Sequence, residues 1–527
     1  MKESHEMDMP VEPGSIEFPK ITQTGWSKAG KFRSLLAWTG LVLVTALAFL
    51  FSDLSRFPVL MWDESRLAVN ALEMALNGPS LVTTFGFEPD LWNTKPPLQI
   101  WLMALSISHA SQPEVGLRLP SALAALATVA LIFYFTYRFT RSPVTAAAAA
   151  LLLLSSRGFY GTHVARTGDY DALLVLLATA YCGLLFRLLH GSKSRAFVFE
   201  ATGLCLALAV MTKGVGGLMP VAGVVVHAML TRRWHRLWVW PSSLKAALIF
   251  SVLLTSFYVF RELSSPGYLE AVLRNEFGRY VADLDPQSEA TRQGFMYLFQ
   301  VVTVHRHFAL GILLVFVLPI GWYLATPRRR LLLSYALVVS FTFLLVVSSS
   351  RTRYYWYIAP VYPWLAVAAA VSIESIIKWL KHNLHRRWQA LGRAAPALLA
   401  LLLAGVFGLA VADRHVRLVN YRDGYESAYG PFLKDLVYAG HDRITVVDGG
   451  RADAGPVMNA HYNPVLRFYQ MYIGWRTGAS VQIVHALPAS LSTGDVLATC
   501  DARFSLSPSQ AFEVIAHTGR CNAVAVK

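Results

Sequence analysis

Charge is scarce in this chain. Asp, Glu, Lys and Arg together make up 15% of its 527 residues, and the acids are outnumbered by the bases, 32 to 47. A hydrophobic share of 55% set against so little charge excludes a string of soluble domains and describes a polytopic membrane protein. The sequence has no glycine-rich phosphate cradle of the Walker type and no internal repeat, which argues against an ATP-driven pump and against a transporter built from repeated halves. Nor are the basic residues gathered with interleaved aromatics on one domain, so the net charge of +15 does not signal nucleic acid. Cysteine is limited to four residues. Cys182 and Cys205 fall in apolar runs as packing residues, whereas Cys500 and Cys521 fall in a polar tail where a disulfide can persist.

Apolar runs near the length of a bilayer span fill the first 412 positions. Spans are expected near residues 35 to 52, 117 to 138, 143 to 160, 170 to 188, 196 to 212, 214 to 231, 244 to 261, 306 to 325, 331 to 349, 356 to 377 and 394 to 412. That makes about 11 to 13 transmembrane helices once uncertain segments are allowed for. Basic clusters punctuate them at alternate loops: Arg138 and Arg141, then Arg187, Lys193 and Arg195, then Arg232, Arg233, Arg236 and Lys245, then Arg328 to Arg330, then Lys378, Lys381, Arg386, Arg387 and Arg393. The positive-inside rule then places residues 1 to 33 in the cytoplasm and the tail outside. A signal peptide over residues 34 to 48, ending Ala46-Leu47-Ala48, is the competing reading; the long polar lead and the apolar run through Phe51 weigh against it.

Three segments then face outside: residues 52 to 116, 261 to 305, and the tail from 413. The first holds Met-Trp-Asp-Glu-Ser-Arg at 61 to 66, two adjacent acids in a region poor in them. Asp63 or Glu64 can cap a helix from about Ser65 to Asn77, whose apolar and polar faces suit a membrane surface. Lys95 precedes Pro96-Pro97, which hold it extended before a short apolar helix from Leu98 to about Ile107, too short to span. A second acidic motif reads Arg166-Thr167-Gly168-Asp169-Tyr170-Asp171, and Lys213 sits at a hinge between two spans. Arg274, Glu276, Arg279, His305 and His307 mark the next loop, and Arg351 and Arg353 lie before Tyr354-Tyr355. Each has a plain structural reading: a cap, a headgroup anchor, or an Arg166–Asp169 ion pair. Basic groups retained beside carboxylates on the side that should be poor in them point instead to an anionic ligand held next to a base.

These residues, in this order, resemble a membrane glycosyltransferase of the GT-C fold, and more narrowly the lipid A aminoarabinose transferases, relatives of the protein O-mannosyltransferases. The resemblance rests on Asp63-Glu64, on Lys95-Pro96-Pro97-Leu98 with Trp101, and on Ala165-Arg166 ahead of Asp169 and Asp171. Thr212-Lys213-Gly214 and Tyr357-Ile358 with Pro360 complete it, over roughly residues 35 to 380. It implies an inverting transfer from a polyprenyl-phosphate (undecaprenyl-phosphate) sugar donor to an envelope acceptor, lipid A or another lipopolysaccharide component, at the periplasmic face of a bacterial inner membrane. Asp63 matches the catalytic acid, and Asp169 or Asp171 the second acidic motif. Lys95 matches a donor-phosphate ligand, with Arg279, Arg351 and Arg353 at further phosphate positions and Glu64, Arg166, Lys213 and His305 as possible supports.

One departure concerns metal. Relatives often carry Glu directly before Lys-Pro-Pro, where this chain has Thr94, so no required cofactor or metal is expected. His305, His307 and Asp169 leave a divalent ion possible. Two readings compete with the first: a protein O-glycosyltransferase of the same fold, and a lipid-linked-sugar flippase.

Three parts are expected: a tail over 1 to 33, a catalytic membrane domain over 34 to 412 with loops 52 to 116 and 261 to 305, and a soluble α/β domain over 413 to 527. In the last, strands are expected at 444 to 448, 481 to 484 and 495 to 499 and a helix at 463 to 475, forming a lid, an acceptor dock or a passive cap.

Overall fold

The computed structural model describes residues 28–191, 196–281, 294–303, 307–383, 389–419, 425–450, 461–504, 506 and 511–527. Among them, seven helices are long and apolar enough to cross a membrane: Ala29–Phe51, Pro113–Thr140, Asp171–His190, Phe197–Gly217, Ser242–Ser264, Pro327–Ser349 and Tyr355–Asn383. Shorter apolar helices at Leu98–His109, Pro143–Leu154, Met219–Leu230 and Gly311–Leu324 pack among them. The chain is a multi-pass membrane protein. Leu41, Val44, Val252, Phe316 and Leu409 are exposed, as the lipid-facing positions of such a bundle must be, because lipid tails are as apolar as the side chains they meet.

Helix starts follow local chemistry. Proline occupies the first turn of the helices at Pro113, Pro143 and Pro327, where its missing N–H is no loss. Ser142 accepts from the Thr145 N–H and caps the second of these. That helix ends at Leu154, six residues short of the expected span. The hydroxyls of Ser155 and Ser156 both donate back to the Leu152 carbonyl, competing with the helix ladder. After one further turn, Arg157–Tyr160, the chain is free to form the loop at 161–170 that carries the site.

The Asp63–Asn77 helix is not the membrane-surface helix its two-faced pattern suggests. Its polar face is buried. Arg66 pairs with Asp90 at 2.7 Å, Asn70 donates to Asp90 and to the Thr84 carbonyl, and Glu73 accepts from the Gly86 and Phe87 N–H groups. These partners come from a small hairpin, β1 (Thr84–Phe85) against β2 (Glu88–Pro89), folded over the helix. Nor do the acids cap the helix end: it begins at Asp63 itself, after Trp62, with no side-chain cap.

The C-terminal segment forms a five-stranded sheet from β3 (Arg443–Val447), β4 (Ser480–Val484), β5 (Val496–Thr499), β6 (Phe512–Thr518) and β7 (Cys521–Val526). Their order is β4-β3-β5-β7-β6. β3 is parallel to β4 and β5, while β7 is antiparallel to β5 and β6. Cys500 and Cys521 are bonded, joining the end of β5 to the start of β7. The Pro464–Thr477 helix packs its Leu466, Phe468 and Tyr469 into one core with Leu67, Leu72, Ile100 and Met103 of the Asp63–Asn77 and Leu98–His109 helices. Each such buried side chain contributes about 1.5–3 kcal/mol relative to exposure. Tyr469 and Lys434 both reach Glu114, at 2.6 and 2.8 Å, so the sheet domain is fixed to the loop layer of the bundle.

Candidate active site

Asp63 opens its helix directly after Trp62, whose backbone is held at φ 77°, a rare conformation for so bulky a residue. Contacts of the next acid, Glu64, hold that strain in place. Glu64 makes a two-point pair with Arg118, Nε and Nη2 each at 2.7 Å, and accepts from the N–H groups of Leu60 and Gly168 at 2.8 Å. Arg118 spends its remaining donors on the carbonyls of Leu54, Phe57 and Pro58. Glu64 thus locks the start of the Asp63–Asn77 helix to the 161–170 loop. At Gly168 a Cβ would stand 3.1 Å from the Met103 side chain and 3.2 Å from the Leu117 carbonyl, so a larger residue would crowd this approach of the loop.

That loop delivers two groups to Asp63. His163 Nδ1 lies 2.6 Å from Asp169 Oδ2 and 3.6 Å from Asp63 Oδ2. The imidazole is stacked on Trp356 at 4.0 Å, and Trp356 in turn on Tyr354. Burial alone would lower the His163 pKa, but the Asp169 hydrogen bond and the charges of Asp169 and Asp63 raise it above the ordinary value. Burial would raise Asp169; the His163 hydrogen bond and charge, with Lys213 beyond, lower it instead. The Asp63 side chain stays 40% exposed, open to whatever enters the cleft.

Beside this cluster lies a cavity lined by two lysines and by hydrocarbon. Lys95, Lys213, Glu276, Tyr280 and Tyr357 face Leu174, Met219, Phe343 and Val347 across it. Lys213 Nζ sits 2.5 Å from Asp171 and over the Tyr357 ring. Lys95 Nζ is 3.8 Å from Glu276 and 5.7 Å from the Tyr170 ring centre. Such a chamber suits an anionic head on an apolar chain.

The two acids of the second motif therefore part: Asp169 joins Asp63 and His163, and Asp171 pairs with Lys213. Arg166 does not pair with Asp169. It donates to the Phe49, Leu50 and Ser52 carbonyls at the end of the Lys28–Phe51 helix. Arg353 donates to the Ser348 and Ser350 carbonyls, and it is Ser350 and Thr352, flanking the exposed Arg351, that line the cavity. Arg279 belongs to the short Gly278–Val281 helix beside Glu276 and Tyr280. His305 and the Arg279 side chain lie outside the described residues.

His307 forms no ligand set with Asp169 among the described residues; it is buried against Tyr355. The group able to hold a metal is Asp63, His163 and Asp169, whose ligand atoms lie within 4.8 Å of one another. One imidazole and two carboxylates would suit a divalent ion such as Zn²⁺ or Mn²⁺. His163 was not among the residues selected from sequence. A single histidine in the stretch between the broken helix and Asp169 was the available signal.

A family model described as dolichyl-phosphate-mannose-protein mannosyltransferase matches residues 37–267. An uncharacterised protein of Aquifex aeolicus is 28% identical over 366 residues, covering 68% of each chain. An undecaprenyl phosphate-alpha-4-amino-4-deoxy-L-arabinose arabinosyl transferase of Pectobacterium carotovorum is 26% identical over 71% of this chain and 66% of its own. The crystal structure of ArnT from Cupriavidus metallidurans bound to undecaprenyl phosphate superposes with a TM-score of 0.66 at 17% identity, covering 93% of this chain and 98% of that one. The fold is therefore the GT-C fold.

Proposed function

We propose that this chain, a polyprenyl-phosphate-sugar-dependent glycosyltransferase of the GT-C fold, moves its sugar to an envelope glycolipid, lipid A or another lipopolysaccharide component. The transfer would take place at the periplasmic face of the inner membrane. The observation that carries the reading is the juxtaposition of Asp63, His163 and Asp169 with the cationic, apolar-walled cavity of Lys95 and Lys213.

In this reading the polyprenyl chain lies along Leu174, Phe343 and Val347, and its phosphate meets Lys95 and Lys213. The acceptor oxygen attacks the anomeric carbon from the side opposite that phosphate. The bond from carbon to phosphate oxygen breaks, the configuration inverts, and polyprenyl phosphate leaves with the bonding electrons. Cations held close in a dry pocket stabilise the charge growing on that oxygen. Asp63 takes the proton of an acceptor hydroxyl, or orients an acceptor phosphate that is already ionised. His163, set between two carboxylates, positions Asp63. A divalent ion bound at the same three groups would add Lewis-acid polarisation of the acceptor oxygen. The C-terminal domain, docked on the Asp63–Asn77 and Leu98–His109 helices, acts as a fixed wall for the acceptor.

The test is turnover by the purified protein given a polyprenyl-phosphate-linked sugar with glycolipid and protein acceptors in parallel. Release of polyprenyl phosphate with a sugar-sized mass increment on glycolipid is expected. An increment on protein would replace the acceptor, and no release with any acceptor would end the transfer reading.

A further inference from the structure

The donor cavity is not the largest chamber at this end of the bundle. A second one, of about 380 Å³, lies among the 161–167 loop, residues 53–60 after the Lys28–Phe51 helix, and the last turns of the Gln389–Val419 helix. A smaller cavity at Arg157, His307 and Trp356 adjoins it, sharing Gly161, Thr162 and Arg417. The lining of the two includes five arginines, at 118, 157, 166, 414 and 417, and a single acid, Asp53.

Most of those cations are balanced. Arg118 is paired with Glu64, Arg414 with Asp53 at 2.7 Å, and Arg417 with Asp413 at 3.0 Å. Arg166 and Arg157 have no carboxylate within ion-pair distance among the described residues. Burial first, and then the charges of Arg414 and Arg118, push Arg166 down to about 10, with Asp53 acting against them. An independent sign comes from Thr167. It lines the larger cavity, is 6% exposed, and its hydroxyl has no hydrogen-bond partner among the described residues. A buried hydroxyl of this kind calls for a partner. An anion with several oxygens meets both demands at once, and arginines arranged around phosphate do so with directional hydrogen bonds. Leu54, Phe57, Leu60 and Val416 supply apolar wall beside the charges, which fits an amphiphile better than a free ion.

We propose that this chamber is a second phosphate site, separate from the donor cavity, that holds a phosphate of the acceptor glycolipid. The proposal rests on the glycosyltransferase reading above. The 161–170 loop faces both ways: Thr162, Arg166 and Thr167 line the chamber, and His163 and Asp169 meet Asp63. A glycolipid held by its phosphate on one side of the loop presents its reacting oxygen on the other.

Binding tests this without turnover. A diphosphorylated glucosamine lipid, the same lipid with its phosphates removed, phosphatidylglycerol and polyprenyl phosphate are titrated against the full-length protein in detergent by native mass spectrometry. Wild type, Arg157→Gln and Thr167→Val are compared; Arg157 has no ion pair to break among the described residues, and Val keeps the shape of Thr. The wild type is expected to prefer the phosphorylated glycolipid over the dephosphorylated one by tenfold or more. Both variants should lose most of that preference and still bind polyprenyl phosphate within twofold of wild type. A wild type blind to the phosphates, or variants that keep the full preference, overturns the site. Phosphatidylglycerol binding as tightly as the phosphorylated glycolipid makes the chamber a general headgroup site and overturns the acceptor assignment. If the preference is found but no polyprenyl phosphate is ever released in turnover assays, the transfer reading fails while the phosphate site stands.

Discussion

His163 Nδ1 stands 2.6 Å from Asp169 and 3.6 Å from Asp63, so one imidazole bridges the two acidic motifs of the sequence. Burial works to lower its pKa, but the Asp169 hydrogen bond and the two carboxylate charges together raise it. Protonation is therefore tighter in the folded state than in the unfolded one. The stability this contributes is fully present below the unfolded value of about 6.5 and is lost as pH rises through the folded pKa. Thermal unfolding of the purified protein followed from pH 6 upward should show a decline that His163→Gln removes. Equal slopes in both proteins would dismiss the protonated bridge.

Asp63 is the most exposed member of that cluster, and no hydrogen bond holds it in place among the described residues beyond the approach of His163. Asp63→Asn should leave membrane level and unfolding temperature near wild type while polyprenyl phosphate release falls about 10²–10⁴-fold, the usual weight of a positioned acid or base. Its neighbour behaves oppositely. Glu64→Gln weakens the pair with buried Arg118 and should be read first in unfolding temperature. Wild-type release by Asp63→Asn would remove Asp63 from the chemistry.

How far the sequence could be read depended on whether a residue's neighbours were local. The membrane spans rest on runs of apolar residues, and the helices at Asp171–His190 and Pro327–Ser349 lie where hydropathy and basic flanks put them. The parallel strands at 443–447, 480–484 and 496–499 were also legible, because short buried strands carry their own pattern. The polar face of the Asp63–Asn77 helix misled: Arg66, Asn70 and Glu73 looked like a solvated face because Asp90 and the β1–β2 hairpin, 13 to 24 residues away, are invisible to periodicity. The same limit hid His163 and divided Asp169 from Asp171. Spacing put both acids at one helix start, and only the packing of the Ala196–Lys213 helix shows which one Lys213 claims.

The disulfide between Cys500 and Cys521 closes a loop across 21 residues. Loop-closure entropy gives such a bond about 3 kcal/mol against the unfolded domain. The double Cys500→Ser, Cys521→Ser variant should be less stable by about that amount and more readily cut by protease in the C-terminal domain. An unchanged digestion pattern would show that docking on the Leu98–His109 helix suffices to hold the domain.

Lys95 and Lys213 line one cavity but are held differently, and their variants should separate. Lys213 sits 2.5 Å from Asp171, which is 1% exposed. Removing one side of a buried pair leaves the other charge uncompensated, at a cost of about 3–5 kcal/mol. Lys213→Met should therefore lower the unfolding temperature strongly, and adding Asp171→Asn should recover most of the loss without restoring activity. Lys95 approaches Glu276 only to 3.8 Å, and both side chains are partly open to the cavity. Lys95→Met should leave the unfolding temperature close to wild type and raise the KM for the polyprenyl-linked donor tenfold or more. The measurement is donor titration alongside thermal unfolding for all three variants. A Lys95→Met protein with wild-type donor KM would move the phosphate contact elsewhere, and a double variant as unstable as Lys213→Met would mean that Lys213 does more in the fold than neutralise Asp171.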